Sequence, residues 1–541
     1  MDTSERHRPN AAWPILAIAL VTATILYFWR ITEVGLSHWD EYYFTDTAKR
    51  ILSIKGSEIH PWDPLVHPSL VALFFRFFGI HDYVAIATSA TFAILTVFAI
   101  YVFGSKMYGR RTGALAALLL SSIEYYVIYS RMALSDITFA FFFTVSLLVY
   151  YISFQRQKLI LFAIAGFLTA LCIGAKYNGF QPLIIAAIYF IARHCSVPRF
   201  GTVCRSTPRG RPAAKDQFKR LTRSIEFKGL VVAGSVLAIL SFFALAYLGS
   251  TWLYHGLVVP PDFFVSNFVR SLIVGRQYFF NVIWANKAGY LQPGYFNPFY
   301  LRALSTWVSP LVLVLSTLGV AHSLRRRESG GIFLSISVLF LLSYFSFMSY
   351  TYPRVLLPAL PPLALLSARG LIALDNVRVP FIDKLPSRMR KAKLTSLCLI
   401  AVMFSSLYLS TDTISSCHNA YRMAGQFLNN RLSGNDIVWI DSQPVILFYL
   451  NTAVCSWEKQ DILKGRYILV DFVAAARGDL PWILEIVESR GMKLVAEYPN
   501  PVHDVVLLNW LSFEKMSQTR HSPSYNTIRI YASADNATST A

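Results

Sequence analysis

The sequence predicts a mainly α-helical, polytopic membrane protein with about 11 transmembrane helices, interfacial helices in its external loops and a small C-terminal α/β soluble domain. Three observations lead to this fold class. Of the 541 residues, 55% are hydrophobic and only 15% are charged, whereas a soluble domain has roughly 25% charged residues. Apolar runs of about 17–22 residues recur along the chain. The Lys and Arg residues, whose excess gives a net charge of +20, are concentrated in short segments between these runs.

About 11 apolar runs are predicted to cross the membrane, because roughly 20 apolar residues span a bilayer core of about 30 Å. The runs cover residues 12–29, 84–103, 114–130, 137–154, 159–174, 180–193, 229–250, 303–323, 331–349, 355–373 and 394–411. The first run follows Arg6 and Arg8, as in a signal peptide, but it is long for one and no small-x-small cleavage site follows it. We interpret it as the first membrane span.

The loops between these runs fall into two alternating sets that differ in charge. The basic set contains Arg6 and Arg8, Lys106 with Arg110 and Arg111, Arg156 with Lys158, the stretch 193–228, Arg325 to Arg327, and the stretch 378–393. By the positive-inside rule this set is cytoplasmic, and so is the N-terminus. The other set is then external and contains residues 30–83, 131–136, 175–179, 251–302 and 350–354. An odd number of spans places the C-terminal domain outside as well.

The two longest external loops, 30–83 and 251–302, are partly apolar and rich in aromatic residues. Phe74, Phe75 and Phe78 in the first loop are examples. Segments of this kind favour helices that lie in the membrane interface. Two such loops on one face could cover a cavity at the membrane surface.

The sequence divides into a membrane module, 1–411, an external α/β domain, 412–520, and a tail, 521–541. Strands are predicted at 437–440, 467–472, 493–498 and 505–510, and helices at 417–432 and 480–490. The tail is rich in Ser, Thr, Asn and Ala, a composition typical of disorder. Cys417 and Cys455 could form a disulfide if the domain lies outside the cytoplasm, or could both stay as thiols.

Motifs of several other enzyme classes are missing from the sequence. There is no Walker A loop, no GxGxxG after a strand, no HExxH and no GxSxG. The six cysteines form no CxxC pair and have no zinc-site spacing. Nucleotide-driven transport and serine hydrolysis therefore lack support.

The first candidate site is the segment 38–43, His-Trp-Asp-Glu-Tyr-Tyr, directly after the first predicted span. Two adjacent carboxylates, Asp40 and Glu41, lie beside aromatic residues at a membrane surface. Such carboxylates can have a shifted pKa, and one of them could act as a general base. In the alternative interpretation they are solvated acids that precede the helical segment 46–52.

Three further candidates lie at the external ends of apolar runs. His67 follows a turn fixed by prolines and could contact a phosphate or a metal, although a single histidine is more often a structural donor. Arg131 and Asp136 lie at the outer membrane boundary. Ionisable groups at that depth are costly unless they pair or line a cavity. They could therefore form part of a site or pair with each other.

Lys176 and Arg354 are the remaining cationic candidates. Lys176 is the only charge between two apolar runs, and Arg354 begins a proline-rich span. Arginine binds phosphate through two parallel hydrogen bonds and keeps its charge. Either side chain could instead extend to water at the interface. Acids and cations thus occur on one predicted face, which suits a substrate with an anionic headgroup and a lipid tail.

The order and spacing of these motifs resemble the GT-C superfamily of membrane glycosyltransferases, most closely the branch of protein O-mannosyltransferases and lipid A aminoarabinose transferase. The matching motifs are Asp40-Glu41, His67-Pro68, Arg131 to Asp136, Lys176-Tyr177-Asn178-Gly179, and Arg354 with the proline-rich segment 357–364. The resemblance covers residues 20–410 and, more weakly, the C-terminal domain.

This resemblance implies a GT-C-like fold and a glycosyltransferase that moves a hexose or pentose from a polyprenyl phosphate, such as undecaprenyl or dolichyl phosphate. The acceptor would be a hydroxyl on the extracytoplasmic or lumenal side, and the anomeric carbon would usually be inverted. Asp40 would be the general base on the acceptor hydroxyl. Glu41 would support or orient it, and Asp136 would orient the acceptor or the sugar.

Basic residues would hold the donor phosphate in such an enzyme: Lys176, Arg354, Arg131 and His67. No cofactor is certain from the sequence; a divalent metal ion could be bound, and no metal ligands are predicted. Expected partners are the lipid-linked sugar donor, a lipid, glycan or protein acceptor, and membrane lipids, but no nucleic acid. The protein would be integral to the plasma membrane, or to the endoplasmic reticulum in a eukaryote. The alternative is a multipass transporter or flippase of a lipid-linked saccharide, but charges occur mainly at span ends and no repeat is visible.

Overall fold

The structure is a computed structural model, and it describes most of the chain. The described residues are 12–53, 64–194, 222–253, 269–270, 273–274, 296–347, 352–374, 394–415, 419–433, 436–441, 444–451, 454–471, 479–499 and 527–533. These residues form a helical bundle followed by a small domain with a five-stranded sheet.

The helical part runs in chain order from α1 to α15. Its helices are α1 Ala12–Phe28, α2 Trp39–Ile51, α3 Val66–Phe78, α4 Asp82–Tyr108, α5 Arg110–Ser122, α6 Glu124–Ser130, α7 Ser135–Arg156, α8 Leu159–Ala175, α9 Gln181–His194, α10 Ile225–Leu253, α11 Phe299–Trp307, α12 Pro310–Arg326, α13 Ser329–Ser346, α14 Leu360–Ala373 and α15 Leu394–Ser415. A 3-10 helix, Pro353–Ala359, leads directly into α14.

Every predicted span corresponds to a helix or a helix pair, but the count of 11 is not confirmed. Within the described residues, six helices are long and apolar enough to cross a membrane, or up to eight if each of two bent pairs is one span. α8 and α9 are shorter, with 17 and 14 residues. The predicted span 303–323 is in fact α11 and α12, which meet at an angle of 114°. Pro310 begins the second helix of this pair, and its missing N–H interrupts the hydrogen-bond ladder.

The outer surface of the bundle is apolar. Large hydrophobic side chains stand at least 40% exposed on several helices, among them Trp13, Ile18, Phe98, Ile160, Phe167, Ile239, Val314 and Phe404. Exposing such side chains to water costs a free energy of about 25 cal/mol per Å² of apolar surface. This cost is absent when the same surface contacts lipid. The chain is therefore an integral membrane protein.

The first predicted interfacial loop forms α2 and α3. On α3, Val71, Ala72 and Phe75 are buried, whereas Phe77 and Phe78 are 72% and 65% exposed. A short helix with one buried face and exposed aromatic residues at its end fits the expected interfacial position. Most of the second such loop, 251–302, lies outside the described residues.

The C-terminal domain contains a mixed sheet with the strand order β2-β1-β3-β5-β4. Its elements are α16 Ala420–Asn429, β1 Ile437–Ile440, β2 Val454–Ser456, β3 Tyr467–Val470, α17 Leu480–Ser489, β4 Lys493–Pro499 and β5 Thr527–Ala532. β1 pairs in parallel with β2 and β3, while β5 pairs antiparallel with β3 and β4. Side chains alternate between the two faces, as expected for strands.

Part of the predicted disordered tail is wrong, because Thr527–Ala532 is the strand β5 inside the sheet. Ile528 and Ile530 on this strand are fully buried, and this alternation of apolar residues outweighs the polar composition around it. The predicted strand 505–510 lies outside the described residues. Cys455 is a free thiol, and Cys417 also lies outside the described part.

The two faces of the sheet belong to different buried clusters. Trp439 and Ile468 share one cluster with Ile483 of α17. On the other face β4 and β5 contact α16, and Val438 and Leu469 belong to a cluster that also contains residues of α16, α2, α3 and the start of α4. The soluble domain therefore sits on the end of the bundle where α2 and α3 lie.

Arg422 of the soluble domain fastens it to the membrane module. Its Nε and Nη2 donate to Asp82 Oδ2, at 3.0 and 2.5 Å, and its Nη1 donates to the carbonyl of Thr32 at 2.8 Å. Tyr449 Oη donates to the same Asp82 oxygen at 2.7 Å and accepts from Leu36 N at 2.9 Å. These bonds fix the loop that leads into α2.

Replacing Arg422 by Met should destabilise the joint between domain and bundle by about 1–3 kcal/mol, because Asp82 would lose its charged partner in a largely buried site. The expected result is a lower thermal unfolding temperature and faster proteolysis of the C-terminal domain in detergent. Arg431→Met is the control, since the Arg431 side chain donates to the carbonyl of Phe427 in the neighbouring helix α16. Equal behaviour of the two variants would contradict a role for Arg422 as the fastening residue.

Candidate active site

The candidate residues lie at one end of the helical bundle because consecutive helices run antiparallel. α7 and α9 begin, and α8 ends, at the end of the bundle where α1 leads into α2. Asp136 is in the first turn of α7, and Lys176 directly follows α8. The 3-10 helix that carries Arg354 packs against α7 and α13 at this same end. The soluble domain covers this side too.

A capping box fixes the first turn of α2. The His38 side chain accepts from Asp40 N at 3.0 Å, and Glu41 Oε2 accepts from the backbone N–H groups of Ser37 and His38, each at 2.8 Å. Glu41 Oε1 accepts from Ala133 N at 2.7 Å. Glu41 is 1% exposed, and it therefore joins the start of α2 to the loop before α7. The role that the resemblance implies for Glu41, to support or orient Asp40, stays a prediction.

Burial raises the pKa of Glu41 to about 7, even though several hydrogen bonds to its carboxyl oxygens favour the charged form. The folded pKa is thus above the ordinary value of 4.5. The stability that this group contributes is full below about pH 4.5 and is lost as the pH rises through 7.

Glu41→Gln should lower stability by about 1–3 kcal/mol, because the amide nitrogen would face a backbone N–H in place of an acceptor. It should also flatten the decline in thermal stability between pH 5 and pH 8. Thermal unfolding in detergent at the two pH values measures both effects. Glu33→Gln is the matched control, since Glu33 is an exposed residue paired with Arg30, and a destabilisation equal to the control would contradict the capping role.

Four charged side chains meet at the end of the bundle. Arg354 Nη1 lies 2.5 Å from Asp40 Oδ2 and 4.0 Å from Asp136 Oδ2. Lys176 Nζ contacts Asp136 Oδ1. The cluster thus pairs two carboxylates with two cations, and Arg354 is shared between the acids.

The four side chains of this cluster differ in exposure. Asp136 is 2% exposed, Arg354 13% and Lys176 21%, while Asp40 is 32% exposed. Asp40 is therefore the carboxylate that an incoming molecule reaches most easily, and Asp136 is the one held deepest.

Two opposing effects act on the Asp40 carboxyl. Burial disfavours its charge, but the nearby Arg354 guanidinium more than offsets this and lowers the pKa of Asp40 to about 2. Burial, together with the charge of Arg354, lowers the pKa of His38 to about 3, so that this imidazole is neutral. Burial also lowers the pKa of Lys176. Asp40 is therefore a fully charged carboxylate at neutral pH.

Two of the predicted phosphate contacts, Arg131 and His67, have other partners. Arg131 Nη1 donates to the carbonyl of Leu26 at 3.0 Å and lies 3.4 Å from that of Tyr27, at the end of α1. A cation at this position satisfies carbonyls that the helix leaves unpaired. We therefore leave Arg131 out of the proposed phosphate site.

His67 is fully buried inside the bundle. Its Nδ1 is 2.9 Å from Thr138 Oγ1, and its ring packs edge-on against Phe44. The structural role considered for a single histidine thus fits His67. We leave it out of the proposed phosphate site too.

Tyr125 is a residue that sequence reasoning did not single out. Its hydroxyl donates to the carbonyl of Pro353 at 2.5 Å, from a fully buried position. It thus fixes the start of the 3-10 helix, one residue before Arg354. Pro358 inside this helix cannot donate a backbone hydrogen bond. Tyr125 lies in an apolar run, where an aromatic residue gives no sign of such a role.

In the described part of the chain, no group of three or more His, Cys, Asp or Glu side chains could hold a metal ion. The divalent metal ion considered from the sequence stays a prediction. Lys176 and Arg354 already place two positive charges in the cluster, next to Asp40 and Asp136.

Residues 62–203 match a family model described as dolichyl-phosphate-mannose-protein mannosyltransferase. This segment includes Asp136 and Lys176 and ends before Arg354. An uncharacterized protein of Aquifex aeolicus (strain VF5) is 24% identical over 364 residues, which are 65% of this chain and 62% of that protein.

Two solved structures share the architecture. ArnT from Cupriavidus metallidurans, bound to undecaprenyl phosphate, matches 97% of this chain and 98% of its own, with a TM-score of 0.60 and 13% identity. The archaeal oligosaccharyltransferase AglB from Archaeoglobus fulgidus, in complex with an inhibitory peptide and a dolichol-phosphate, matches 89% of this chain and 72% of its own, with a TM-score of 0.54 and 13% identity. With the family match, these likenesses show that the chain has the fold of the GT-C superfamily of membrane glycosyltransferases.

Proposed function

We propose that the chain is a glycosyltransferase that moves a sugar from a polyprenyl phosphate to an acceptor hydroxyl on the extracytoplasmic or lumenal side of the membrane. The cluster of Asp40, Asp136, Lys176 and Arg354 carries this proposal, because it combines a reachable carboxylate with two cations at the membrane boundary. Two proteins of the same fold were solved with a polyprenyl phosphate bound, and the family match points to a lipid-phosphate sugar donor.

In the proposed reaction Asp40 is the general base. The acceptor oxygen attacks the anomeric carbon, and a new carbon–oxygen bond forms while the bond from that carbon to the phosphate oxygen breaks. The bonding electrons go to the lipid phosphate, which changes from a monoanionic diester to a dianionic monoester, and the hydroxyl proton goes to Asp40. A direct attack of this kind inverts the anomeric carbon. General base catalysis contributes about 10²–10⁴-fold to such a step.

Lys176 and Arg354 stabilise the negative charge that grows on the leaving phosphate. Fixed cations in a site with little water have a larger effect than in bulk solvent, and no reorganisation is needed during the reaction. Asp136 contacts Lys176 and lies near Arg354. In the proposed reaction it holds both cations and orients the sugar or the acceptor.

Arg354 also couples donor binding to the base. In the free protein it pairs with Asp40, and it lowers the pKa of Asp40 to about 2, which is low for a base that works near neutral pH. A donor phosphate that takes hydrogen bonds from Arg354 weakens this pair. The pKa of Asp40 then rises, and the base becomes stronger once the donor is in place.

The proposed orientation places the N-terminus in the cytoplasm and the soluble domain outside. The charged cluster and the soluble domain lie at one end of the bundle. The basic residues Lys106, Arg156 and Arg325 to Arg327 lie at helix ends that point the other way. The positive-inside rule assigns that basic end to the cytoplasm. The membrane is the plasma membrane or, in a eukaryote, the endoplasmic reticulum.

Deleting the gene and comparing the host's glycans, glycoproteins and lipids by mass spectrometry tests the proposed activity. One sugar should disappear from one class of acceptor, and the wild-type gene should restore it while a gene for Asp40→Asn should not. Equal restoration by both genes would remove Asp40 from its role. Movement of a lipid-linked saccharide across liposomes without any bond formation would instead support the flippase.

A further inference from the structure

The connection between α8 and α9 forms a tight turn beside the charged cluster. Lys176 N donates to the carbonyl of Cys172, and Gly179 N donates to the carbonyl of Lys176, each at 2.8 Å. A Cβ at Gly179 would collide with the backbone at the end of α8, so only glycine allows this approach. The turn therefore has one fixed position relative to the side chain of Lys176.

Two amide side chains at this turn have buried atoms that lack a hydrogen-bond partner among the described residues. Gln181, the first residue of α9, is fully buried, and no described residue supplies a partner for its Oε1 or its Nε2. The Oδ1 atom of Asn178 is buried and lacks a partner in the same sense. Each such group costs about 1–3 kcal/mol. Buried polar atoms without partners are rare in folded proteins, and a bound molecule that supplies the missing hydrogen bonds would account for them.

Gln181 is placed at the end of the bundle where the cluster lies. α9 packs against α7 and α13, and both α7 and α9 begin there, at Ser135 and Gln181. The ring of Phe180 contacts that of Tyr344 near the end of α13, at 6.4 Å between centroids. The 3-10 helix with Arg354 packs against this same helix. The amides therefore lie among the helix ends that carry the cluster.

The chemistry of these amides distinguishes between the parts of a lipid-linked sugar. A phosphodiester has only acceptor oxygens and can satisfy Gln181 Nε2 but neither side-chain carbonyl. A sugar hydroxyl donates and accepts, so it can satisfy both ends of Gln181 and the carbonyl of Asn178. We propose that Gln181 and Asn178 bind hydroxyl groups of the donor sugar, next to Lys176 at the phosphate. This assignment rests on the proposed glycosyltransferase function.

The same residues indicate a neutral sugar. An ammonium group of an amino sugar would need a carboxylate partner, and neither Gln181 nor Asn178 offers one. Uncharged amides suit uncharged hydroxyls, and a hydroxyl missing from the sugar would leave a buried amide unpaired. A site of this kind discriminates strongly against deoxy sugars.

Equilibrium binding in detergent tests the assignment with two probes: undecaprenyl phosphate, and undecaprenyl phosphate bearing a neutral hexose, taken from a panel of glucose, galactose and mannose. The wild type should bind one of the hexose forms more tightly than the bare lipid phosphate. Gln181→Met should weaken binding of that form by about tenfold or more, with the affinity for the bare phosphate kept within about twofold. Asn178→Ala should show the same pattern to a smaller extent. Gln426→Met, an exposed change on α16, should alter neither affinity.

Each other outcome has a distinct meaning. A parallel loss of both affinities in Gln181→Met and Asn178→Ala would place the amides at the phosphate and overturn the assignment to the sugar. Unchanged affinities in both variants, or a wild type that prefers no hexose form, would also overturn it. A wild type that binds neither probe would contradict the proposed function itself. Retained binding of the bare phosphate shows that a variant is folded.

Discussion

Asp40→Asn should abolish sugar transfer, with kcat lowered by about 10²–10⁴-fold. Asparagine keeps the size of the side chain but cannot take the acceptor proton. The donor should still bind, because Arg354 and Lys176 are unchanged and Arg354 would lose a competing carboxylate. We therefore expect KM for the donor to stay the same or to fall. A transfer assay in proteoliposomes with purified protein measures both constants.

Glu33→Gln is the control for Asp40→Asn. Glu33 lies on the same side of the protein, is 47% exposed and pairs with Arg30 outside the cluster. Its substitution should leave transfer and thermal unfolding unchanged. Near-normal transfer by Asp40→Asn would show that another group accepts the proton.

Arg354→Met should have the second large effect, a loss of about 10²–10³-fold in transfer rate, because a fixed cation would be missing at the leaving phosphate. Donor binding should weaken at the same time. Removing one partner from a buried ion pair also costs about 3–5 kcal/mol, since Asp40 and Asp136 would share Lys176 alone. Arg354→Lys keeps the charge but loses the planar fork that binds phosphate through two bonds, and it should show a smaller loss with better stability.

Arg369→Met is the control that separates loss of donor binding from loss of stability when a paired arginine is replaced. Arg369 Nε donates to Glu328 Oε2 at 2.9 Å in a half-buried pair near the end of the bundle that is opposite the cluster. Its substitution should lower stability without changing donor affinity. A loss of donor affinity in Arg369→Met as large as in Arg354→Met would show that the loss reflects general destabilisation of the bundle.

The sequence predicted the elements of the membrane module well because apolar runs are a direct consequence of the lipid environment. It could not show that 303–323 breaks into α11 and α12, since Ser309 and Pro310 interrupt a run that is otherwise apolar. It also missed β5, a strand of only six residues that follows a long polar stretch. Short signals of this kind become visible only when the neighbouring strands are known.

The candidate site was predictable in part. Asp40, Asp136, Lys176 and Arg354 are unusual charges at span ends, and the structure brings these four together. Arg131 has the same sequence features, but its side chain extends to the end of α1. The partner of a charged side chain depends on how helices that are distant in sequence pack together. That packing cannot be inferred from a single sequence.

Recognition of a lipid-borne phosphate by Lys176 and Arg354 is the central claim, and a direct binding comparison tests it without knowledge of the sugar or the acceptor. The purified protein in detergent is titrated with undecaprenyl phosphate and with undecaprenol, which has the same chain and no phosphate. The wild type should bind the phosphate form at least tenfold more tightly, and Lys176→Met and Arg354→Met should each lose most of that preference. Equal binding of the two lipids by the wild type, or a preference that both variants keep, would contradict the claim.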